Sequence, residues 1–133
     1  MKKRKYPTLQ KELILILESL LNAIEDAPAS VEFADVITVI ESNYSYTPTE
    51  FKNGLGNSTV INRAGTNEGS CKIFAFAQLH NLDEQQTLAC FGDYYRKDVL
   101  QHPEGQDHQN IRNFMLNGWD GIEFTGKALT NKE

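Results

Sequence analysis

The sequence predicts an α+β fold in which about five helices pack with a small antiparallel sheet of about three short strands. Apolar residues recur at helical spacing in several long segments, which indicates helices with one buried face. Shorter segments of alternating aromatic and β-branched residues, interrupted by proline and Asn-Gly, are typical of short strands and turns. With 133 residues, 40% of them hydrophobic, and no internal repeat, the chain is expected to form one domain around one core.

Two N-terminal helices are predicted to pair as a helical hairpin. Leucine and isoleucine recur at intervals of three or four residues between Leu9 and Ile24, and Thr8, which follows Pro7, is the predicted N-cap. The second helix is predicted to begin after Ser30, whose hydroxyl can cap it. Its apolar stripe consists of Phe33, Val36, Ile37 and Ile40.

The middle of the chain predicts two strands and a central helix. Residues 44–54 alternate aromatic and threonine side chains up to an Asn-Gly turn, and the proline among them favours an edge strand. Residues 58–63 are the predicted partner strand. Residues 67–81 return to helical spacing, and the segment 72–79 is apolar on nearly every side. A helix of that kind is expected to be buried on most faces.

The C-terminal third predicts two further helices and a last strand. Asp83 can cap a helix over residues 83–100. Asp107 is the predicted cap of a shorter helix that continues through Met115. The segment Asn-Gly-Trp-Asp-Gly then turns the chain into a short strand over residues 122–125.

Charge is distributed unevenly along the chain. Five of the 13 basic residues precede Glu12, whereas the part from residue 12 onward carries the other eight and all 18 acidic residues, a net of −10. We therefore expect a basic N-terminal tail over residues 1–8 and a single domain over residues 9–130. This acidic domain is a poor candidate for nucleic-acid binding, because phosphate backbones are held by clustered Lys and Arg.

The expected location of the protein is the cytoplasm. No segment has the ~18 consecutive apolar residues that a transmembrane helix needs, so no membrane insertion is expected. The basic start is not followed by an apolar stretch typical of an export signal. Two cysteines also fit a reducing compartment.

Cys71 is the first candidate for chemistry. It lies near the start of the predicted helix 67–81, where the helix dipole can stabilise a thiolate. A thiol hydrolase or transferase would also need a base and a residue that orients it. The available residues are His108 or His102 as the base and Asn110 or Asp107 as the orienting residue. The alternative is core packing, because the spacing of Cys71 with Phe74 places the sulfur on an apolar face.

Two polar segments are further candidates. Residues 102–110 hold two histidines and an aspartate, but their spacing matches no known metal motif, so we expect loop structure and no metal. Residues 65–72 lack the lysine of a phosphate loop, although exposed amides at a helix start could bind an anion. Glu68 would oppose an anion there. Trp119 is expected to cover the core rather than to form a ligand platform.

Six segments together carry a resemblance to a known family. They are residues 32–36 (EFADV), 46–54 (YTPTEFKNG), 67–77 (NEGSCKIFAFA), 87–96 (TLACFGDYYR), 102–114 (HPEGQDHQNIRNF) and 118–124 (GWDGIEF). Over roughly residues 9–130, the chain is similar to the HopJ type III effector family. The resemblance implies a bacterial protein delivered into host cells by type III secretion. The family has no established enzymatic activity, substrate or catalytic residue, so the resemblance leaves open whether the protein is an enzyme.

One departure from such effectors favours a resident protein. Their secretion segments are usually Ser-rich and tens of residues long, whereas eight residues, four of them basic, precede Leu9 in this chain. We therefore expect a cytoplasmic protein, with secretion as the alternative.

The expected function is binding, with a protein or a small polar ligand as the partner and no cofactor. If the helical hairpin packs on one side of the sheet, the loops at 53–70 and 102–110 can converge on a polar pocket. The candidate ligand-binding residues are Asn53, Asn67, Glu68, His102, Asp107, Arg112 and Trp119. Asn and Arg side chains that are buried to tie the loops together would produce the same pattern.

Overall fold

The computed structural model describes residues 2–132, with the side chains of residues 11–14 and 16–132, and it confirms the predicted α+β class. The helices are α1 (Lys2–Asp26), α2 (Phe33–Asn43), α3 (Glu68–Leu79), α4 (Glu84–Ala89) and α5 (Gln109–Asn117), with a π-helical segment at Tyr94–Val99. Short 3₁₀ turns lie at Pro28–Ser30, Gly56–Ser58 and Gly118–Gly121. The strands are β1 (Tyr44–Tyr46), β2 (Phe51–Asn53), β3 (Val60–Asn62), β4 (Glu123–Phe124) and β5 (Leu129–Asn131).

The strands form one three-stranded and one two-stranded antiparallel sheet. β2 lies between β3 and β4, and Phe51 pairs with Asn62 on one side and with Phe124 on the other. β1 pairs with β5. The strand predicted over residues 44–54 is therefore two strands, because residues 47–50, which include a proline, leave the ladder between them. β5 is the element that the sequence pattern did not predict.

α3 is the central element of the core, as its apolar sequence predicted. Phe74 is fully buried, and its ring lies 5.8 Å from that of Phe51, 5.4 Å from that of Phe91 and 5.0 Å from that of Phe114. α1 and α2 pack together as the predicted hairpin, and α2 packs against α3. Each buried Phe contributes about 1.5–3 kcal/mol through the removal of its side chain from water.

Two predicted helix starts in the N-terminal half are wrong. α1 begins at Lys2 rather than after Thr8, because the Lys and Arg residues before Pro7 have high helix propensity and extend the helix. α2 is capped at Glu32 rather than at Ser30. The hydroxyl of Ser30 instead donates to the carbonyl of Ala27 within the 3₁₀ turn.

The helix predicted over residues 83–100 has the predicted start but is interrupted. The Asp83 side chain accepts from the backbone N–H of Gln86, and the Gln86 side chain accepts in return from that of Asp83, so the cap is confirmed. α4 then ends at Ala89, and Gly92 takes a positive φ of 60° before the π-helical segment begins. α5 is likewise capped at His108, one residue after the predicted Asp107.

Candidate functional site

A cavity of about 360 Å³ lies between the first turn of α3 and the first turn of α5. The sequence suggested that the loops at 53–70 and 102–110 could converge. In the structure the two loops meet at their C-terminal ends. Polar residues and glycine line one part of the cavity, and aromatic side chains line another. The lining residues are Asn67, Gly69, Ser70, His108, Gln109, Asn110 and Ile111, together with Phe33, Phe91 and Tyr94.

Both helices enter the cavity through an N-cap residue in the left-handed conformation. Asn67 has a φ of 49° and His108 a φ of 51°, and neither side chain caps its helix. Asn and His adopt this conformation more readily than most non-glycine residues. Within the described residues, the backbone N–H groups of Glu68–Ser70 and Gln109–Ile111 donate no hydrogen bond to another backbone group. Six amide donors are thus available at the two first turns.

An aromatic row forms the second wall of the cavity. The ring of Tyr94 lies 5.1 Å from that of Phe33 and 5.2 Å from the imidazole of His108. Nε2 of His108 lies 3.0 Å from a carboxylate oxygen of Asp98, which fixes the orientation of the imidazole. Gly69 allows Phe33 to approach α3, because a Cβ at this position would lie 3.0 Å from the Phe33 ring.

A network of buried asparagines lies behind the polar wall. The Asn110 and Asn62 side chains exchange two hydrogen bonds of 2.9 and 3.0 Å, and Asn53 donates to Oδ1 of Asn110 at 2.9 Å. Asn67 donates to Asn62 at 2.7 Å. Asn113 donates to the carbonyl of Asn53, which joins α5 to β2. The network thus fixes Asn67 and Asn110 at the cavity through side chains of the sheet.

Cys71 lies in the core and not in this cavity. It is 1% exposed, and its thiol donates to the Thr49 carbonyl at 3.5 Å. Burial raises the pKa of the Cys71 thiol, in spite of the nearby helix start. The buried Tyr46 hydroxyl lies beside it without a hydrogen bond of normal geometry. The environment is that of the core-packing alternative.

The predicted base and orienting residue are engaged elsewhere. The imidazole of His108 bonds Asp98, and the side chain of Asn110 bonds Asn62 and Asn53. No imidazole among the described residues lies within hydrogen-bond distance of Sγ of Cys71. The structure therefore does not assemble the Cys71, His108 and Asn110 triad, nor its variant with His102 and Asp107, that a thiol hydrolase would require.

Three of the predicted ligand-binding residues stabilise a loop outside the cavity. The Arg112 guanidinium donates to the His102 carbonyl at 2.9 Å and to Oδ1 of Asp107 at 2.7 Å. The hydrogen bond from Arg112 holds the pKa of the Asp107 carboxyl below its usual value. Gly105 leaves room for this arrangement, since a Cβ there would lie 2.6 Å from Nη2 of Arg112. Here the structure matches the loop-tying alternative for His102, Asp107 and Arg112.

Of the remaining candidates, Asn53 and Trp119 are structural and Glu68 is exposed. The Trp119 ring packs edge-on against Phe114 at 5.0 Å, and its indole N–H donates to the Leu82 carbonyl. Asn53 lies in the asparagine network, and Glu68 lies in the first turn of α3 without lining the cavity. Among the described residues, no three His, Cys, Asp or Glu side chains cluster as a metal site.

The sequence reasoning did not select Asn62, Phe33 or Tyr94 for the site. Asn62 carried a usable signal, because it lies two residues after Val60 in a predicted strand and thus on the same face, where a polar residue is unusual. Phe33 was assigned to the apolar stripe of its helix, and Tyr94 was not singled out; the ring of Tyr94 meets that of Phe33 only in the tertiary structure.

Comparison with known proteins gives one family match and one similar solved structure. Residues 17–129 match the HopJ type III effector protein family. The fold is similar to a solved structure described as the crystal structure of unknown function protein VPA0580, with 54% identity and a TM-score of 0.83 over 87% of this chain and 93% of that one. No curated protein matches the sequence. Within the described residues, no helix is both long and apolar enough to span a membrane. Because the family model matches residues 17–129, the chain belongs to the HopJ type III effector protein family.

Proposed function

We propose that this protein binds a small polar ligand, with an anionic or other hydrogen-bond-accepting group, in the cavity between α3 and α5. One observation carries the proposal: two uncapped helix first turns meet at the same cavity. Each helix N-terminus is equivalent to roughly half a positive charge, and its free amides are donors. Two such ends together favour an acceptor group more than either does alone.

The aromatic wall supports a ligand that also has a flat or apolar part. Phe33, Phe91 and Tyr94 line the same cavity as the amides, so a ligand can contact a ring while its acceptor group meets the first turns. The volume of about 360 Å³ lies within the range of about 300–1,000 Å³ that is usual for small-molecule sites. Glu68, which would repel an anion, is not among the residues that line the cavity.

A larger groove of about 470 Å³ is a weaker candidate. It lies between α3 and the segment Phe124–Asn131, and its lining includes the exposed side chains of Leu79 and Lys127. None of the convergent polar side chains described above reaches it. The cavity at the helix starts is preferred because its polar groups are fixed in place by the asparagine network.

The proposal is tested by NMR titration of the ¹⁵N-labelled protein with inorganic phosphate and, separately, with acetate. We expect saturable shifts of the amide signals of Gly69, Ser70 and Gln109–Ile111, because the N–H groups of these cavity-lining residues are the proposed donors. Sodium chloride at equal ionic strength is the control for general salt effects. Shifts spread evenly over the surface, or confined to another region, would contradict the proposal.

A pair of histidine variants sharpens this test. His108→Asn removes the imidazole but keeps a residue that tolerates the left-handed conformation, so the fold is expected to persist. We expect it to weaken phosphate binding roughly two- to tenfold, because it changes a side chain that lines the cavity. His102→Ala is the matched control, since the exposed His102 side chain does not line the cavity. Equal effects of the two variants would argue against this site.

A further inference from the structure

Phe33 and Tyr94 line a second cavity as well as the cavity between α3 and α5. The second cavity has a volume of about 330 Å³ and lies between the start of α2 and the π-helical segment. Its lining residues are Glu32, Phe33, Ala34, Asp93, Tyr94 and Asp98, and it is referred to as the carboxylate cavity. The cavity between α3 and α5 is the amide cavity. The two cavities therefore share one aromatic pair, whose rings contact edge to face at 5.1 Å.

The two cavities carry groups of opposite polarity. The amide cavity has backbone N–H donors from two helix first turns, which favour an acceptor or an anion. The carboxylate cavity is lined by three acidic side chains and by no basic one. Aromatic rings attract cations through their quadrupole, so the shared aromatic pair favours a cation independently of the carboxylates.

Asp98 and His108 connect the two cavities. Asp98 lines the carboxylate cavity and His108 lines the amide cavity, and Oδ2 of Asp98 lies 3.0 Å from Nε2 of His108. The ring of Tyr94 lies 5.2 Å from the imidazole of His108 and 5.1 Å from the ring of Phe33. A ligand about as long as this row of three rings can therefore contact both cavities.

The basic neighbours of Asp93 leave its charge available to a ligand. The carboxylate lies 3.6 Å from the guanidinium of Arg96 and 3.5 Å from Nζ of Lys97. Neither basic residue lines the cavity, and Arg96 donates its hydrogen bonds to backbone carbonyls instead. Exposed ion pairs at such distances contribute little, so a cation in the cavity competes with them readily.

An organic cation fits the carboxylate cavity better than a metal ion. In the part of the chain that the structure describes, no group of three His, Cys, Asp or Glu side chains could hold a metal. Hard metal ions also need several oxygen ligands and gain little from apolar walls. The carbon groups of an alkylammonium ion, in contrast, can pack against the rings of Phe33 and Tyr94.

We propose that the ligand of this protein is dipolar, with an acceptor group in the amide cavity and an alkylammonium group in the carboxylate cavity. Amino acids and betaines are the simplest members of this class. The inference rests on the proposed function, because it assigns the other end of the same ligand. It also agrees with the net charge of −5, since a purely anionic ligand is repelled at long range whereas a dipolar one is not.

A matched pair of ligands tests the inference by NMR titration of the ¹⁵N-labelled protein. The probe is γ-trimethylammoniobutyrate, and its control is the carbon isostere in which a tert-butyl group replaces the trimethylammonium group. The two molecules share the carboxylate and the shape and differ in one positive charge. We expect the probe to bind roughly three- to tenfold more tightly. It should shift the amide signals of Phe33 and Tyr94 together with those of Ser70 and Gln109.

Equal affinities, or tighter binding of the isostere, would overturn the inference. If both molecules still shift the amide signals of Ser70 and Gln109, the proposed function stands without it. If neither molecule shifts these signals, the proposed function fails as well. The two failures are therefore distinguishable in one titration.

The carboxylate cavity is tested separately with a cation that has no acceptor group. Tetramethylammonium chloride is the probe, and tert-butanol is the neutral control of similar size. We expect saturable shifts of the Glu32, Phe33 and Tyr94 signals with tetramethylammonium and not with tert-butanol or sodium chloride. Absence of these shifts would overturn the inference, whatever the phosphate and acetate titrations give.

A variant that removes one charge assigns the cation to this cavity. Glu32→Gln keeps the shape of the side chain, and since this side chain does not cap α2, the fold is expected to persist. We expect probe affinity to fall roughly two- to fivefold, with the affinity of the isostere unchanged. Asp35→Asn is the matched control, because Asp35 is an exposed acid in the first turn of α2 that does not line the cavity. Equal losses in both variants would indicate a long-range charge effect and overturn the inference.

Discussion

At the residue scale, Cys71 shows how the environment of one side chain separates two hypotheses that fit the same sequence. A thiol near a helix start can be a nucleophile, since the dipole lowers its pKa. In this fold, however, removal from water is the largest influence on the thiol, and the pKa of Cys71 is raised. Burial also raises the pKa of Cys90, to about 12. Both thiols are therefore expected to stay protonated and inert at neutral pH.

We predict that Cys71 resists alkylation in the native protein. Iodoacetamide modification is followed by mass spectrometry against pH in Cys90→Ser, which leaves a single thiol. Because the thiolate is both disfavoured and inaccessible, the rate should be at least about a hundredfold below that of the unfolded chain, set by opening of the fold.

The control for reagent quality is a second variant, Cys90→Ser with Leu116→Cys, whose added thiol is on the surface and should react at the ordinary rate. Fast modification of Cys71 below pH 7 would instead indicate an activated thiolate. It would restore the thiol-enzyme hypothesis, which the contacts of Cys71 do not support.

At the element scale, Gly92 decides the shape of the segment that follows α4. A Cβ at Gly92 would lie 2.7 Å from the backbone nitrogen of Phe33, so the chain approaches α2 more closely there than any side chain allows. The positive φ of 60° then redirects the chain, and Arg96 donates to the Val31 carbonyl at 2.6 Å. This contact between segments places Tyr94 beside Phe33 at the cavity.

We predict that Gly92→Ala lowers the free energy of unfolding by about 2–4 kcal/mol, from backbone strain together with the close contact. Gly56→Ala is the matched control, because Gly56 has the same φ of 60° but no atom within 4 Å of an added Cβ. Backbone strain alone should lower the free energy of unfolding of Gly56→Ala by about 1 kcal/mol. Urea denaturation measures both values, and equal losses would show that the contact at Gly92 is unimportant.

At the scale of the whole molecule, the asparagine network connects the three-stranded sheet to α5 and to the start of α3. Asn62 lies on β3, Asn53 on β2 and Asn110 on α5, and all three are buried. Buried amides are costly unless they are paired, so the network specifies one relative placement of these elements. Only the Oδ1 of Asn53 lacks a protein partner among these three side chains.

We predict that Asn110→Ala lowers the free energy of unfolding by about 2–4 kcal/mol, because it removes the three buried hydrogen bonds that join the Asn110 side chain to Asn53 and Asn62. Asn57→Ala, at an exposed position in a turn, is the control and should change stability by about 0.5 kcal/mol or less. Urea denaturation with a constant m-value measures both. A loss below about 1 kcal/mol for Asn110→Ala would show that water replaces the lost partners.

Local sequence signals were sufficient where an element is specified by its own residues. The apolar run of α3 indicated a buried central helix, and the Asp83 capping box fixed the start of α4. The pairing of β2 with β3 followed from two short strands around an Asn-Gly turn. Local sequence signals did not predict an element whose structure depends on a segment far away in the chain. β5 is three residues long and is a strand only because β1 supplies its hydrogen bonds.

The sequence by itself thus determined the fold class, the family resemblance and the polar character of the loops at 53–70 and 102–110. The tertiary structure alone decided what those polar residues do. It placed Asn67 and His108 at one cavity, committed Arg112 to its own loop and enclosed Cys71 in the core. The physical reason is that hydrogen-bond satisfaction and burial depend on neighbours far apart in the chain, whereas periodicity and capping depend on residues a few positions away.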